Sequence, residues 1–261
     1  MQIGIIGNGF VGNALYQNFK DKVETKVFDV RPEKCLSTKD EVVNSDIVFV
    51  CLPTPMKDDG QCDLSYVEEF FRNVDSKKDS LFVIKSTVPI GTTEQMSRIR
   101  DDLRIVHNPE FLTAVNAVED FRNSDRNIIG GYQKWCLELR DFYLTHFPGT
   151  PIQIVTSKES ETIKYFCNSY LAAKVAFFNN LYEMCNTLGM NFDSVKDGVI
   201  SDTRIGSSHT KVPGPDGLMG FGGYCFPKDI NALINTLREN DINDQLFSSV
   251  WEYNKKIRKD I

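Results

Sequence analysis

Through the first 155 residues, short apolar runs alternate with amphipathic stretches. Runs at 3–6, 25–29, 46–52, 81–85, 104–107, 127–130 and 152–155 have strand length, and the one at 46–52 (DIVFVCL) reads as a buried strand. Helical spacing of apolar positions predicts helices over 13–19, 64–74, 91–99 and 133–146. Alternation of strand and helix implies a mostly parallel, doubly wound sheet, with ligands at the C-terminal ends of its strands. The pattern then changes. Thr156-Ser157-Lys158-Glu159 has the form of a capping box. Apolar residues follow at Ile163, Phe166, Tyr170, Leu171, Val175, Phe178, Leu181 and Leu188, up to Gly189. That spacing predicts one helix of about thirty residues, roughly 45 Å long, suited to linking two domains or forming a subunit interface. A helix after Asn191 comes next, then an irregular stretch over 201–223 rich in Gly, Pro and Ser, and helices over 229–239 and 244–259.

The first strand runs into Gly7-Asn8-Gly9-Phe10-Val11-Gly12, a G-x-G-x-x-G turn opening a helix. In such a turn the first glycine permits the tight bend, the second lets backbone approach a pyrophosphate, and the third lets helix pack on strand. The helix N-terminus then offers N–H groups to the phosphates. The second strand ends at Asp29, about 20 residues further on, the spacing of a ribose-binding carboxylate. Strand, motif, helix and acid in this order predict a dinucleotide site. Asp29 favours NAD over NADP because a carboxylate repels a 2′-phosphate, and Arg31 close by works against that preference.

Composition narrows the rest. The 261 residues are 41% hydrophobic and 25% charged, with net charge −6, which suits a globular protein and argues against nucleic acid as a partner. No apolar run approaches a membrane span, and the opening residues read as a strand without a basic n-region, so neither membrane nor signal peptide is expected. Seven scattered cysteines and three dispersed histidines predict a reducing cytoplasm and no metal.

Three loops leave strand C-termini: Pro53-Thr54-Pro55, Ser86-Thr87-Val88-Pro89 and Asn108-Pro109-Glu110-Phe111-Leu112. Singly, each reads equally well as a proline-stiffened connection. Lys164 and Asn168 stand at i and i+4 on one helical face, where spacing alone also allows a solvated lysine and an incidental asparagine. Gly220-Phe221-Gly222-Gly223-Tyr224-Cys225-Phe226-Pro227-Lys228-Asp229 poses the same choice. Cys225 is either a small buried hydrophobe beside a turn or a nucleophile in an open loop.

Together GIIGNGFVG, Asp29, PTP, STVPIGTT, NPEFL, the Lys164/Asn168 helix, DTRIG and GFGGYCFPKD resemble, in order and over nearly the whole chain, the nucleotide-sugar 6-dehydrogenase family. The resemblance implies an α/β protein: an N-terminal Rossmann-type NAD-binding domain over 1–155, followed by an all-α central, dimerisation domain over 156–261 with one long helix. It implies NAD-dependent four-electron oxidation of a sugar C6 alcohol, most simply UDP-glucose to UDP-glucuronate, in a cytoplasmic homodimer. Cys225 matches the family's nucleophile, which forms a thiohemiacetal and then a thioester. Asp229, Lys164 and Asn168 match residues that organise proton removal and stabilise the oxyanion, and Glu110 and Thr87 those that position the hydrolytic water. NAD would lie on Gly7, Asn8, Gly9, Phe10, Val11, Gly12, Asp29, Lys34, Thr54, Pro55, Ser86 and Thr87. The sugar nucleotide would meet Glu110, Phe111, Leu112, Lys164, Asn168, Phe221, Gly222, Gly223, Tyr224 and Lys228, with Arg204 reaching it from a partner subunit.

Two departures stand out. Ala114 occupies a position where the family usually has glutamate, which bears on hydrolysis and on NAD affinity. The sequence also stops where family members usually continue into a third α/β domain. A short enzyme, a fragment or a chain needing another subunit are all compatible with that. So are two other readings, an NAD-binding regulatory protein without turnover and a two-domain dehydrogenase of 3-hydroxy acids that needs no cysteine.

Overall fold

The computed structural model describes residues 1–113 and 115–261. The Ala114 position lies outside the described residues. The chain divides into two compact units, Met1–Pro55 with Cys62–Lys164, and Met56–Gln61 with Tyr165–Ile261.

The first unit is built on seven strands: β1 (Gln2–Ile6), β2 (Glu24–Phe28), β3 (Ile47–Val50), β4 (Leu81–Ile84), β5 (Arg104–His107), β6 (Asn127–Gly131) and β7 (Ile152–Val155). They lie in the order β2-β1-β3-β4-β5-β6-β7. All neighbours are parallel except β5 and β6, which pair antiparallel through Val106–Gly131 and His107–Gly130. Periodicity fixes that a segment is a strand and not which way it runs, so this reversal is invisible in the sequence.

Alternate residues of each strand feed opposite faces. On one face Ile3, Ile5, Ile47, Phe49 and Val83 pack with Leu15 and Phe19 of α1 (Phe10–Phe19) and with Leu139 and Phe142 of α6 (Gln133–His146). On the other, Val48, Val50, Phe82 and Ile84 pack with Val42 and Val43 of α2 (Lys39–Val43), Val67, Phe70 and Phe71 of α3 (Ser65–Asn73), and Met96 of α4 (Thr92–Ile99). This is the doubly wound α/β architecture that the alternation of strand and helix implies. Two short helices, α2 and α5 (Ala117–Arg122), have too few apolar positions to show in the sequence pattern.

α1 begins at Phe10, three residues earlier than its apolar spacing suggests, because Gly9 is an extended N-cap whose carbonyl accepts from Asn13 N at 2.9 Å.

The long helix α7 spans Ser157–Leu188. Its capping box is present: Thr156 N donates to Glu159 at 2.7 Å and Glu159 N to Thr156 Oγ1 at 3.3 Å. Gly189, with φ +70°, ends it in a conformation that a side chain would strain. Within the second unit α7 is followed by α8 (Phe192–Ile200), α9 (Cys225–Glu239) and α10 (Gln245–Ile257). Ala172, Phe221, Ile230 and Ile234 form one apolar cluster there, flanked by Phe226, Phe247 and Trp251.

Candidate active-site residues

The glycine turn has the form its sequence demands. Gly7 adopts φ +88°, which favours glycine. A Cβ on Gly12 would collide with the Gly7 carbonyl oxygen, while a Cβ on Gly9 would meet nothing within 4 Å. So Gly12 secures close packing and Gly9 leaves the backbone open to a ligand. Asn8 N donates to Asp29 Oδ2 at 2.7 Å, and Asn8 Nδ2 to the Lys34 carbonyl at 2.8 Å. Asn8 Oδ1 is left buried without a hydrogen-bond partner, as expected of a cradle shaped for a polar group. Phe10 and Val11 form the first turn of α1.

Asp29 is buried just past β2, and its carboxyl sits well below the usual range, chiefly because Arg31 hydrogen-bonds to it. The loops after β3 and β4 are tied together. Thr54 Oγ1 donates to the Thr87 carbonyl at 2.9 Å, and Ser86 Oγ to the Leu52 carbonyl at 2.6 Å. Pro55 follows directly on buried Thr54. The first unit thus gathers the expected dinucleotide residues at the C-terminal ends of β1 to β4, and they fit such a cofactor.

The loop after β5 carries Glu110. Its carboxylate accepts from Leu112 N at 2.6 Å and from Lys164 Nζ at 3.1 Å, and Lys164 Nζ also donates to the Glu110 carbonyl at 2.6 Å. Lys164 is 3% and Glu110 7% exposed. Breaking such a buried pair from one side strands a charge, at a cost of about 3–5 kcal/mol. The Lys164 ammonium lies 5.3 Å from the centre of the Phe111 ring. Phe111 and Leu112 also line a small cavity together with Lys85, Asn127 and Tyr143.

Asn108, at the root of this loop, is a hub that sequence reading missed. Its Oδ1 accepts from Lys85 Nζ at 2.8 Å and Tyr143 OH at 2.7 Å, while Nδ2 donates to Asn127 Oδ1 and the Ile128 carbonyl, both at 2.6 Å. Burial lowers the Lys85 ammonium to about 8. The one sequence signal for this hub was a lysine closing an otherwise apolar run.

In the second unit, α9 starts at Cys225 rather than at residue 229. Pro227 lies in its first turn, where a missing N–H costs nothing, so the helix extends back through the proline. Cys225 is therefore the first residue of α9 and is half-buried. One turn later comes Asp229, wholly buried. Its Oδ2 accepts from Asn168 Nδ2 at 2.5 Å, and its Oδ1 pairs with Lys228. None of the seven cysteines is in a disulfide.

The glycine-rich approach to Cys225 is held by residues that the sequence did not advertise. Asn254, completely buried in α10, accepts from Phe221 N and donates to the Phe221 carbonyl, both at 2.8 Å. Gly220 N donates to Asn179 Oδ1 at 2.9 Å. A Cβ on Gly220 would strike the Asn254 amide, and one on Gly222 the Arg258 guanidinium. These two glycines thus make room for protein side chains. Gly223 alone of the three has open space where its Cβ would be, and Tyr224 beside it is exposed.

Arg204 projects into solvent and pairs with Asp202 at 2.5 Å. Lys174 Nζ fixes the same turn by donating to the Ile205 and Gly206 carbonyls at 2.8 and 3.0 Å. Along α7, Phe166, Tyr170, Phe177, Met184 and Leu188 are exposed apolar residues. Among the described residues no helix is long and apolar enough to cross a membrane.

The profile of the UDP-glucose/GDP-mannose dehydrogenase family, NAD binding domain, matches residues 17–145, and that of the same family's central domain matches residues 158–256. A UDP-glucose 6-dehydrogenase of Rickettsia bellii (strain RML369-C) is 36% identical over 251 residues, covering 93% of this chain and 57% of its own length. The chain spans about half the length of the curated relatives it matches. A UDP-glucose dehydrogenase structure from the hyperthermophilic archaeon Pyrobaculum islandicum superposes with TM-score 0.88 at 28% identity, over 98% of this chain and 68% of that one. A Mycobacterium tuberculosis 3-hydroxyisobutyrate dehydrogenase matches with TM-score 0.78 at 18% identity, over 98% and 94% of the two chains, a likeness of fold alone.

Proposed function

The chain belongs to the UDP-glucose/GDP-mannose dehydrogenase family, and from that premise we propose that it oxidises the C6 alcohol of a nucleotide sugar, UDP-glucose first among them, to the carboxylate. The observation that carries the reading is the head of α9: Cys225 opens the helix, and one turn on, buried Asp229 is held by Asn168 and Lys228. A carboxylate buried at such a cost is retained for chemistry more readily than for stability.

Gly7 to Gly12, Asp29, Lys34, Thr54, Pro55, Ser86 and Thr87 would hold NAD+, which when bound would supply the hydride acceptor, two molecules being used in succession, one for each oxidation. In the first, C6 loses a hydride as Asp229 takes up the hydroxyl proton, directly or through a water, while Lys164 and Asn168 steady the negative oxygen, leaving an aldehyde. The Cys225 sulfur then bonds to C6 of the aldehyde as the carbonyl oxygen takes the proton back from Asp229, giving a thiohemiacetal. The N–H groups opening α9 favour negative charge on that sulfur. Loss of a second hydride and the hydroxyl proton leaves a thioester on Cys225. Water, placed by Glu110 and Thr87, adds to the carbonyl, the C–S bond breaks, and the acid and the thiolate separate. Phe111, Leu112, Phe221, Gly222, Gly223, Tyr224 and Lys228 would hold the nucleotide sugar.

The exposed apolar residues of α7 support a homodimer through this helix, with Arg204 completing the neighbouring subunit's site. The test is a nucleotide-sugar panel scored by NADH formed per sugar consumed. A ratio of about two, since each hydride reduces one NAD+, and no acid from Cys225→Ala are expected. A ratio of about one with Cys225 dispensable would overturn the reading in favour of simple alcohol oxidation.

A further inference from the structure

This inference rests on the first unit being the NAD-binding domain and concerns the end of β2, where the adenosine ribose would lie. An ionised carboxylate offers about four acceptor directions, and at Asp29 all of them are filled. Oδ1 accepts from Arg31 N and Arg31 Nε, each at 2.9 Å. Oδ2 accepts from Asn8 N at 2.7 Å and Arg31 Nη2 at 3.1 Å. Two of these donors are backbone N–H groups fixed by the turn. The other two belong to one guanidinium, on a side chain that is 49% exposed.

A ribose diol can donate to Asp29 only by displacing those two guanidinium bonds. The released Arg31 stays tethered two residues away and presents a planar fork of donors, which suits a phosphate better than a hydroxyl. Nor does Asp29 present a bare negative charge to an incoming anion. Arg31 offsets it, and Lys34 in the following 3-10 turn (Pro32–Lys34) balances Glu33. The charges of this short segment sum to about zero, where a lone carboxylate would repel a phosphate.

We infer that Arg31 makes the ribose subsite accept a 2′-phosphate, so that the domain binds NADP+ as well as NAD+. With NAD+, Arg31 swings off Asp29 and the diol takes its place. With NADP+, it forms a charge-assisted pair with the phosphate while Asp29 keeps its bonds to the two backbone N–H groups.

The test is calorimetric titration of the full chain with NAD+ and with NADP+, for the unaltered protein and for Arg31→Ala, with thermal melts to confirm folding. The unaltered chain should bind the two dinucleotides within about tenfold of each other. Arg31→Ala should weaken NADP+ by about tenfold or more and leave NAD+ no weaker, because only the phosphate loses a charged partner while the diol no longer has a guanidinium to displace. Binding of NADP+ a hundredfold weaker than NAD+ in the unaltered chain would overturn the inference, as would equal loss of both in the variant. Failure of the folded protein to bind either would instead overturn the dinucleotide site itself.

Discussion

Replacing Asn254 by alanine tests how the Cys225 loop is held. The amide satisfies both the N–H and the carbonyl of Phe221, at 2.8 Å each, and neither Asn254 nor Phe221 reaches solvent to any extent. Each bond contributes about 0.5–1.5 kcal/mol net, and a buried group left unpaired costs about 1–3 kcal/mol. With partial relaxation, Asn254→Ala should lose about 2–5 kcal/mol of stability. Urea unfolding followed by tryptophan emission reports it, since Trp251 lies 6.1 Å from the Phe221 ring. A double-mutant cycle sharpens the result. A Cβ on Gly220 strikes the Asn254 amide, so Gly220→Ala should be costly in the unaltered protein and milder once Asn254 is alanine. A coupling of about 1 kcal/mol or more is expected of groups in contact. Additivity to within about 0.5 kcal/mol, or a loss below that figure for Asn254→Ala alone, would refute the reasoning.

Three further outcomes follow from other parts of the molecule. Gly12→Ala drives a methyl into the Gly7 carbonyl, so NAD+ affinity measured by calorimetry should fall by more than about tenfold, and stability by about 1–3 kcal/mol from overpacking. Glu161, fully buried, accepts from Gly91 N at 2.5 Å and from Thr93 N and Oγ1 at 2.8 and 2.6 Å at the head of α4. Glu161→Gln turns one acceptor into a donor facing donors, and should lower chemical-denaturation stability by about 1–3 kcal/mol. His107 is held neutral, its imidazole lowered by burial from 6.5 to about 3. The unfolded chain therefore binds a proton that the folded one refuses, and stability is lost as pH falls from 6.5 towards 3. The slope approaches about 1.4 kcal/mol per pH unit once the unfolded imidazole is protonated, and unfolding measured between about pH 5.5 and 4 should show it reduced by that amount in His107→Gln.

What the sequence made legible was whatever repeats with a period or sits in a fixed local pattern. The seven strands, the long helix with its cap at Thr156 and its stop at Gly189, and the glycine turn with Asp29 all have local causes, and they appear where the pattern put them. The reversal between β5 and β6 was not legible, because direction is set by a connection and not by the strand. The start of α9 was misread because Pro227 looks like a boundary until it is placed in a first turn. Asn108, Lys174, Asn179, Asn254 and Arg258 were missed for a shared reason. Each bonds to backbone or side-chain groups distant in sequence, and a polar residue that does so carries no periodic mark. The glycines of the Cys225 loop show the same limit from the other side. Their freedom was evident, yet at Gly220 and Gly222 what occupies the vacated space is the protein's own Asn254 and Arg258.

That brace has a consequence in time. Phe221 and the amide that holds it are 33 residues apart, and synthesis runs at about 5–20 residues per second. A growing chain therefore carries Cys225 for about 1.5–6 s before Asn254 has even been added. Throughout that interval the thiol rides on a segment whose order depends on residues not yet made. Vectorial synthesis thus delivers the nucleophile first and the means of placing it last.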